Sequence, residues 1–226
     1  MEKLGLMKKR MTVERIPGFM ASIYEKATRM VIESYYSQVA EEVVSRLKAG
    51  VILDLGTGPG YLPIEIVKRS PSVRVDGIDL TRKLINMAQE NAVRAGVADR
   101  LHFEVGSAAK LRFEDSSYDM VISTGMLHML KDPIKVLREC YRVLKSGGEA
   151  WIYDPAKVSS QIDIVKWKAS LTFGERFVYR LFSLPGLFKP LHAYNREQVT
   201  EMIAATDFKE YWVEEGDNEI KIKLRK

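Results

Sequence analysis

The stretch with the clearest chemical signature is LDLGTGPG, residues 53–60, in which glycine occupies every second position from Gly56 to Gly60. An apolar run precedes these glycines and an amphipathic run follows them, which is the pattern of a strand, a tight loop and a helix. Glycine adopts backbone conformations closed to other residues and lets a ligand approach the main chain. The pattern predicts a loop that binds a small molecule, and its spacing limits which one.

Two phosphate-binding patterns fail at this loop. A Walker loop needs Lys and then Ser or Thr after its last glycine, whereas Gly60 is followed by Tyr61 and Leu62. The dinucleotide pattern G-x-G-x-x-G needs a third glycine where the chain has Tyr61 or Pro63. Pro59 also removes one main-chain N–H, which makes the loop a poorer cradle for an anion.

The acidic residues around the loop favour a cationic nucleoside. Asp54 precedes the glycines, and Asp79 ends the next apolar run, where a carboxylate can accept hydrogen bonds from both hydroxyls of a ribose. S-Adenosylmethionine carries a ribose, an ammonium group and a sulfonium. It therefore suits the two carboxylates better than a polyphosphate does.

Four segments of the chain follow one another in the order of a known family's motifs. They are LDLGTGPG, GIDLTRKLINMAQENA, HFEVGSAAKLRFEDSSYDMVISTGMLHMLKDP and LRECYRVLKSGGEAWIYDP. Together they resemble the class I S-adenosylmethionine-dependent methyltransferases, and most closely the subgroup that includes the ubiquinone/menaquinone-biosynthesis methyltransferases. The resemblance covers about residues 20–155. It implies S-adenosyl-L-methionine as the cofactor and S-adenosyl-L-homocysteine as the product.

The resemblance also implies a set of cofactor-binding residues, in which Asp79 takes the ribose hydroxyls, Leu80 packs on the adenine and Asp54 helps to hold the ammonium group. Ser107 stands where the family usually has an aspartate that accepts a hydrogen bond from the adenine amino group. A serine hydroxyl can accept that bond without a charge, so we expect somewhat weaker cofactor binding. The full set is Tyr24, Asp54, Gly56, Thr57, Gly58, Gly60, Asp79, Leu80, Ser107, Ala108, Ser123, Thr124 and Gly125. Tyr24 would cap the cofactor from an N-terminal helix, with Tyr35 and Tyr36 as rivals for that role.

Candidates for acid–base chemistry follow the fourth predicted strand and end the fifth. His128 could take a proton from a substrate O–H or N–H group, or it could shape the pocket wall. Tyr153 and Asp154 are the other catalytic candidates, although residues so placed can also fix the substrate or a lid. Methyl transfer depends mainly on alignment and on exclusion of water, so a general base is not obligatory.

The apolar runs of the first two thirds of the chain predict its architecture. Strands that alternate with helices of this length indicate βαβ units and a parallel, doubly wound sheet. The predicted strands are 50–55, 73–80, 100–105, 118–124 and 148–154. The helix that begins at Asp132 and Pro133 is predicted to end at Gly147 and Gly148. The tail after residue 208 alternates on both sides of a Gly-Asp-Asn turn, as in a hairpin.

With the resemblance, these patterns predict an α/β fold with a mostly parallel, seven-stranded, Rossmann-like sheet, a C-terminal antiparallel hairpin and a helical lid insertion. One methyltransferase domain is expected over residues 1–226. Its parts would be an N-terminal helical cap (1–49), a cofactor-binding core (50–154), a substrate lid (155–193) and a final helix with the hairpin (194–226).

The predicted lid is basic and rich in aromatic residues. It contains six basic and two acidic residues, and Phe173, Phe177, Leu181 and Leu184 are spaced as on one face of a helix. Such a segment suits a lipophilic acceptor or contact with a membrane surface, unless its apolar face simply packs on the core. The predicted substrate-binding residues are Met126, Trp167, Phe177, His192 and Tyr194.

The remaining features narrow the class of protein. A single cysteine, Cys140, and three scattered histidines predict no disulfide and no metal site, and a reducing cytoplasm is the default location. We find no signal peptide and no apolar run long enough to span a bilayer. The sequence STGML follows the fourth strand in place of the Asn/Asp-Pro-Pro-aromatic tetrad of enzymes that methylate base amino groups.

We therefore expect methyl transfer to a small, apolar or aromatic acceptor, mainly by positioning for in-line attack. Two alternatives stay open. The acceptor could be RNA or protein, or the chain could be a non-catalytic cofactor-binding regulator or membrane-surface adaptor. The oligomeric state is not predicted.

Overall fold

A computed structural model of the chain describes residues 35–155, 193–216 and 219–226. Most of the predicted cap and lid therefore falls outside the described residues. Four residues predicted for the site also lie outside them, namely Tyr24, Trp167, Phe177 and His192.

A seven-stranded sheet forms the centre of the described structure. Its strands are β1 (Gly50–Leu55), β2 (Val73–Asp79), β3 (Leu101–Val105), β4 (Tyr118–Thr124), β5 (Leu144–Pro155), β6 (Glu210–Glu215) and β7 (Glu219–Arg225). Their order is β3-β2-β1-β4-β5-β7-β6, with β1 to β5 parallel and β7 antiparallel to both of its neighbours. The predicted doubly wound sheet and the C-terminal hairpin are both confirmed.

Helices cover both faces of the sheet. They are α1 (35–46), α2 (Tyr61–Arg69), α3 (Arg82–Arg94), α4 (Pro133–Val143) and α5 (Arg196–Ala204). Apolar residues of α1, α2 and α3 form the core on one face, and those of α4 and α5 form the core on the other. Cys140 is completely buried in the second core, and burial raises the pKa of its thiol to about 12, as suits a structural residue.

The junction between α4 and β5 corrects one prediction. The helix was expected to continue to Gly147 and Gly148, yet it ends at Val143 and the strand begins at the next residue. The physical reason is an irregularity in the pairing of β4 with β5, which accommodates extra residues at the start of β5. A side chain at Gly148 would lie 3.0 Å from the carbonyl oxygen of Asp119. Gly148 thus permits a close approach of two strands, and the glycine pair does not stop the helix.

Polar contacts fix α1 to the sheet. The hydroxyl of Tyr153 donates a hydrogen bond to Glu42 Oε2 at 3.0 Å, and Lys221 Nζ contacts the other oxygen of Glu42 at 2.9 Å. One turn later, at the last residue of the helix, the Arg46 guanidinium contacts both oxygens of Glu149. The N-terminal helix is therefore held on β5 and β7 by side chains that the sheet presents on one face.

Candidate cofactor and catalytic site

The strand register brings the predicted site residues to one edge of the sheet. Leu55 of β1 pairs with Ile78 of β2 on one side and with Ser123 of β4 on the other, and Ser123 pairs with Ile152 of β5. The loops that follow β1, β2 and β4 therefore meet beside the end of β5. Ligands of open α/β sheets bind in the crevice at this carboxyl edge.

The glycine loop has the conformation that its residue types require. Gly56, Gly58 and Gly60 have φ angles of 72°, 52° and 78°, which are strained for any residue with a side chain. At Gly60 a Cβ would also lie 2.9 Å from the Cβ of Ala88 on α3. Helix α3 therefore packs directly against the loop, and glycine is required at this position for two independent reasons.

One residue that holds the loop was missed by the sequence analysis. The buried amide of Asn91, on α3, donates a hydrogen bond to the carbonyl oxygen of Pro59 at 2.9 Å. Asn91 lies three residues after Ala88, so it belongs to the apolar face of its helix. A polar residue on such a face was the signal that could have identified it.

Asp79 connects the glycine loop to the end of β2. Its Oδ2 accepts a hydrogen bond from the N–H of Gly58 at 3.2 Å, and its Oδ1 accepts one from the N–H of Thr81 at 2.7 Å. Leu80, the next residue, is 37% exposed although it is apolar. Asp79, which is predicted to bind the ribose, thus also holds the glycine loop in place. Leu80, which is predicted to pack on the adenine, is accessible beside it.

The segment after β3 borders the same edge. The N–H of Gly106 donates to the carbonyl oxygen of Asp79 at 3.1 Å, so Ser107 lies next to the end of β2. Ala108 is buried in the core and supports this segment from behind.

The residues at the end of β4 are mostly engaged by the sheet. The hydroxyl of Ser123 is buried and donates to the carbonyl oxygen of Leu55 at 3.0 Å. The N–H of Gly125 donates to the carbonyl oxygen of Tyr153 at 2.7 Å. A side chain at Gly56 would lie 3.0 Å from Met126 Sδ, so Met126 lies against the glycine loop. Met126 was predicted as a substrate-binding residue, and the structure places it beside the predicted cofactor loop.

His128 and Asp154 form a buried pair at this edge. The Nδ1 of His128 lies 3.1 Å and 3.2 Å from the two carboxylate oxygens of Asp154, and its main-chain N–H donates to Oδ2 at 3.0 Å. His128 is 9% exposed and Asp154 is 2% exposed. Burial raises the pKa of Asp154, and the bonds from His128 oppose that effect. Asp154 thereby fixes both the position and the ring orientation of His128.

Other predicted residues face elsewhere. Tyr153 points to the opposite face of β5, where burial and the charge of Glu42 raise the pKa of its hydroxyl above the usual range. Tyr194 is 7% exposed and packs in the core that α4 and α5 cover. Asp119, which was not predicted for the site, lies near the start of β4, accepts a hydrogen bond from the N–H of Val51 at 2.8 Å and pairs with Lys145, which is a structural arrangement.

A family model described as a methyltransferase domain matches residues 47–211. The chain belongs to this methyltransferase family. It is 30% identical, over 148 residues, to the ubiquinone/menaquinone biosynthesis C-methyltransferase UbiE of Geobacter sp. (strain M21), covering 62% of this chain and 63% of that protein. It is 28% identical, over 173 residues, to the demethylmenaquinone methyltransferase of Lactobacillus johnsonii, covering 76% of this chain and 69% of that one.

Structural comparison agrees with this membership. A crystal structure from Methanococcus maripaludis superposes with a TM-score of 0.73 and 22% identity over 97% of both chains, which shows the shared fold. Two UbiE relatives are matched over only 53% and 63% of their lengths. A phosphoethanolamine N-methyltransferase of Haemonchus contortus in complex with S-adenosyl-L-methionine also shares the fold, with a TM-score of 0.67 and 17% identity over 93% of this chain and 57% of that one.

The residues at the carboxyl edge of the sheet fit S-adenosylmethionine. A Cβ at Gly58 or at Gly125 would meet no atom of the described residues within 4 Å, so that part of the structure leaves open space beside both loops. Asp54 is 2% exposed, and no basic side chain of the described residues offsets its charge. A cationic amino-acid group beside Asp54, a ribose at Asp79 and an apolar ring on Leu80 would satisfy all three residues.

The charge of Asp54 leads to a prediction about pH. Burial raises the pKa of Asp54 to about 7, the hydroxyl of Thr57 opposes this effect, and the charge of Asp79 adds to the increase. A bound ammonium group favours the ionised carboxylate and lowers that pKa again. Binding of S-adenosylhomocysteine should therefore release a proton below pH 7, and its affinity should fall by up to about tenfold per pH unit below that value.

Calorimetry between pH 5.5 and 7.5, in buffers of different ionisation enthalpy, measures this proton release. The Asp54→Asn variant serves as the control, because its side chain cannot ionise. It should bind more weakly and without proton release. If the wild-type protein binds with the same affinity across this range, Asp54 is not the carboxylate that meets the ammonium group.

Proposed function

We propose that this methyltransferase transfers the methyl group of S-adenosylmethionine to a small, apolar or aromatic acceptor that loses a proton in the reaction, with His128 as the base. The observation that carries the proposal is the buried pair of His128 and Asp154 at the carboxyl edge, next to the cofactor loop. The cofactor supplies an electrophilic methyl group on a sulfonium.

The geometry gives each member of the pair a distinct role. With the Asp154 carboxylate accepting a hydrogen bond from the N–H at Nδ1, the basic nitrogen of His128 is Nε2. As Nε2 takes a proton from the acceptor, the imidazole becomes positive, and the neighbouring carboxylate stabilises that charge. Positioned bases of this kind contribute roughly 10²–10⁴ to a rate.

For Tyr153, the contact with Glu42 supports a positioning role. Its hydroxyl is committed to α1, and its main chain holds Gly125. We assign to it the placement of the end of β5, and to Asp154 the direct contact with the catalytic histidine.

Two observations support an aromatic or lipophilic acceptor. The relatives named above are called ubiquinone/menaquinone biosynthesis and demethylmenaquinone methyltransferases. Residues 155–193 contain many aromatic and basic side chains, which favours an apolar acceptor site and peripheral membrane contact. No helix among the described residues has the length and apolar character needed to cross a bilayer.

The identity of the labelled product tests this proposal. The protein is incubated with methyl-labelled S-adenosylmethionine and a panel of phenols, quinols and fractionated cell extract, and the labelled product is identified by mass spectrometry. We expect the label in a small molecule that partitions into organic solvent. Label in RNA or protein would favour a macromolecular acceptor. Tight cofactor binding without turnover on any fraction would favour a non-catalytic regulator.

The proposed lid over 155–193 leads to a separate prediction. Replacing Trp167 and Phe177 with serine should abolish acceptor binding and leave affinity for S-adenosylhomocysteine unchanged, because the apolar contacts that they provide would serve only the acceptor. Binding of both ligands is measured by calorimetry once the acceptor is known. Trp212→Ser is a matched control, since Trp212 lies on β6 and is 51% exposed. Unchanged acceptor affinity in the double variant would remove the lid assignment.

A further inference from the structure

The segment that carries Ser107 has little regular structure of its own. Between the end of β3 and the start of β4, residues 106–117 form only one isolated bridge, between Ser107 and Lys110. Its first residue is joined to the end of β2, beside the open edge described above. Its last two residues, Ser116 and Ser117, donate main-chain hydrogen bonds to the carbonyl oxygens of Arg142 and Val143. The residues between these two anchored ends need partners from elsewhere to hold a fixed position.

Two charged side chains of α4 supply those partners. Glu139 Oε2 accepts a hydrogen bond from the N–H of Leu111 at 2.7 Å. Arg142 donates to the carbonyl oxygen of Leu111 at 3.2 Å and to that of Phe113 at 2.8 Å. The same guanidinium binds Glu139 at 3.0 Å and Asp115 at 2.7 Å. One ion pair therefore binds both main-chain polar groups of Leu111, its N–H through Glu139 and its carbonyl oxygen through Arg142.

This arrangement differs from an ordinary surface ion pair. Exposed pairs contribute little because water screens them and their side chains are mobile. Here the planar guanidinium binds two carboxylates and two main-chain carbonyls at once, a geometry that only arginine offers. Both side chains are less than one third exposed. The ion pair of Arg142 and Glu139 therefore acts mainly to fix the position of residues 106–117.

We propose that Arg142 and Glu139 are positioning residues for the cofactor: they hold residues 106–117 in place and so keep Ser107 beside the adenine. The inference rests on the proposed assignment of Ser107 to the adenine amino group. It predicts that loss of Arg142 weakens cofactor binding mainly through the adenine end. The two side chains contact residues 111–115 and each other, so the effect should not depend on the identity of the acceptor.

The experiment measures binding of S-adenosylhomocysteine, and of its analogue that lacks the 6-amino group of adenine, by calorimetry. The wild-type protein should prefer the natural ligand by about tenfold, the effect of one hydrogen bond in a protected site. Arg142→Gln should lower affinity for S-adenosylhomocysteine by about tenfold and reduce the preference to near unity. The matched control is Arg138→Gln, because Arg138 lies on the same helix and donates to the carbonyl oxygen of Ala205 at 2.8 Å.

Further variants separate this inference from its premise. Ser107→Ala should by itself remove the preference for the ligand with the 6-amino group. In the double variant with Arg142→Gln, affinity for S-adenosylhomocysteine should then be little lower than in either single variant. If Ser107→Ala keeps the preference, the adenine assignment is wrong. If Ser107→Ala loses the preference but Arg142→Gln keeps it, the positioning role is wrong, even where Arg142→Gln lowers thermal stability. Arg142→Lys and Glu139→Gln replace Arg142→Gln if that variant does not fold, and a wild-type preference in both would overturn the inference.

Discussion

Replacing His128 with alanine is expected to lower the rate of methyl transfer by roughly 10²–10⁴ and to leave the affinity for S-adenosylhomocysteine nearly intact. The rate falls because the acceptor loses the group that takes its proton. The affinity is kept because the loop and the two acidic residues of β1 and β2 remain. Single-turnover transfer and calorimetry measure the two quantities separately.

Two further variants define the role of the pair. Asp154→Asn keeps an oxygen that can accept the N–H of His128, but it removes the charge that stabilises the protonated ring, so we expect a smaller loss of rate with the same affinity. His102→Ala is the control, because His102 is exposed on β3. A loss of less than about tenfold in His128→Ala would leave alignment of the reactants as the main source of catalysis, with His128 as part of the pocket wall.

The cofactor edge is the part of this molecule that its sequence predicts best. The loop is a local structure, since three glycines with positive φ can be anticipated from their spacing and their neighbours. The parallel order of the strands then places Asp54 and Asp79 at the same edge without any knowledge of side-chain contacts. Local geometry and one rule of topology suffice for both inferences.

Contacts between residues that are distant in the sequence could not be predicted. His128 and Asp154 lie 26 residues apart, and their pairing depends on the register of β4 with β5. The contacts between α4 and residues 106–117 also cannot be predicted from the sequence, because an arginine and a glutamate in a helix have the pattern of ordinary surface residues. Tyr153 is a different case. Neighbouring residues of a strand point to opposite faces, so Tyr153 and Asp154 could not both face the site.

Replacing Asp79 with alanine should weaken binding of S-adenosylhomocysteine by about 1.5–3 kcal/mol, or roughly 10- to 150-fold. The loss has two sources. The ribose hydroxyls lose their acceptor, and the N–H of Gly58 loses the carboxylate oxygen that lies 3.2 Å away and helps to hold the loop. The same change at Asp76, earlier on the strand, removes a carboxylate that accepts a hydrogen bond from the Tyr118 hydroxyl at 2.6 Å. It should leave cofactor affinity near the wild-type value.

An analogue of S-adenosylhomocysteine that lacks the ribose 2′-hydroxyl separates these two sources. If Asp79 binds the ribose directly, the wild-type protein should bind the analogue more weakly than the natural product, and Asp79→Ala should bind both equally. If Asp79 acts only through the loop, both proteins should show the same preference. Unchanged affinity for the natural product in Asp79→Ala would remove Asp79 from the cofactor site altogether. A direct contact at Asp79 would place the ribose at the end of β2, between Leu80 and the glycine loop, as the assignment of the adenine to Leu80 and of the ammonium group to Asp54 requires.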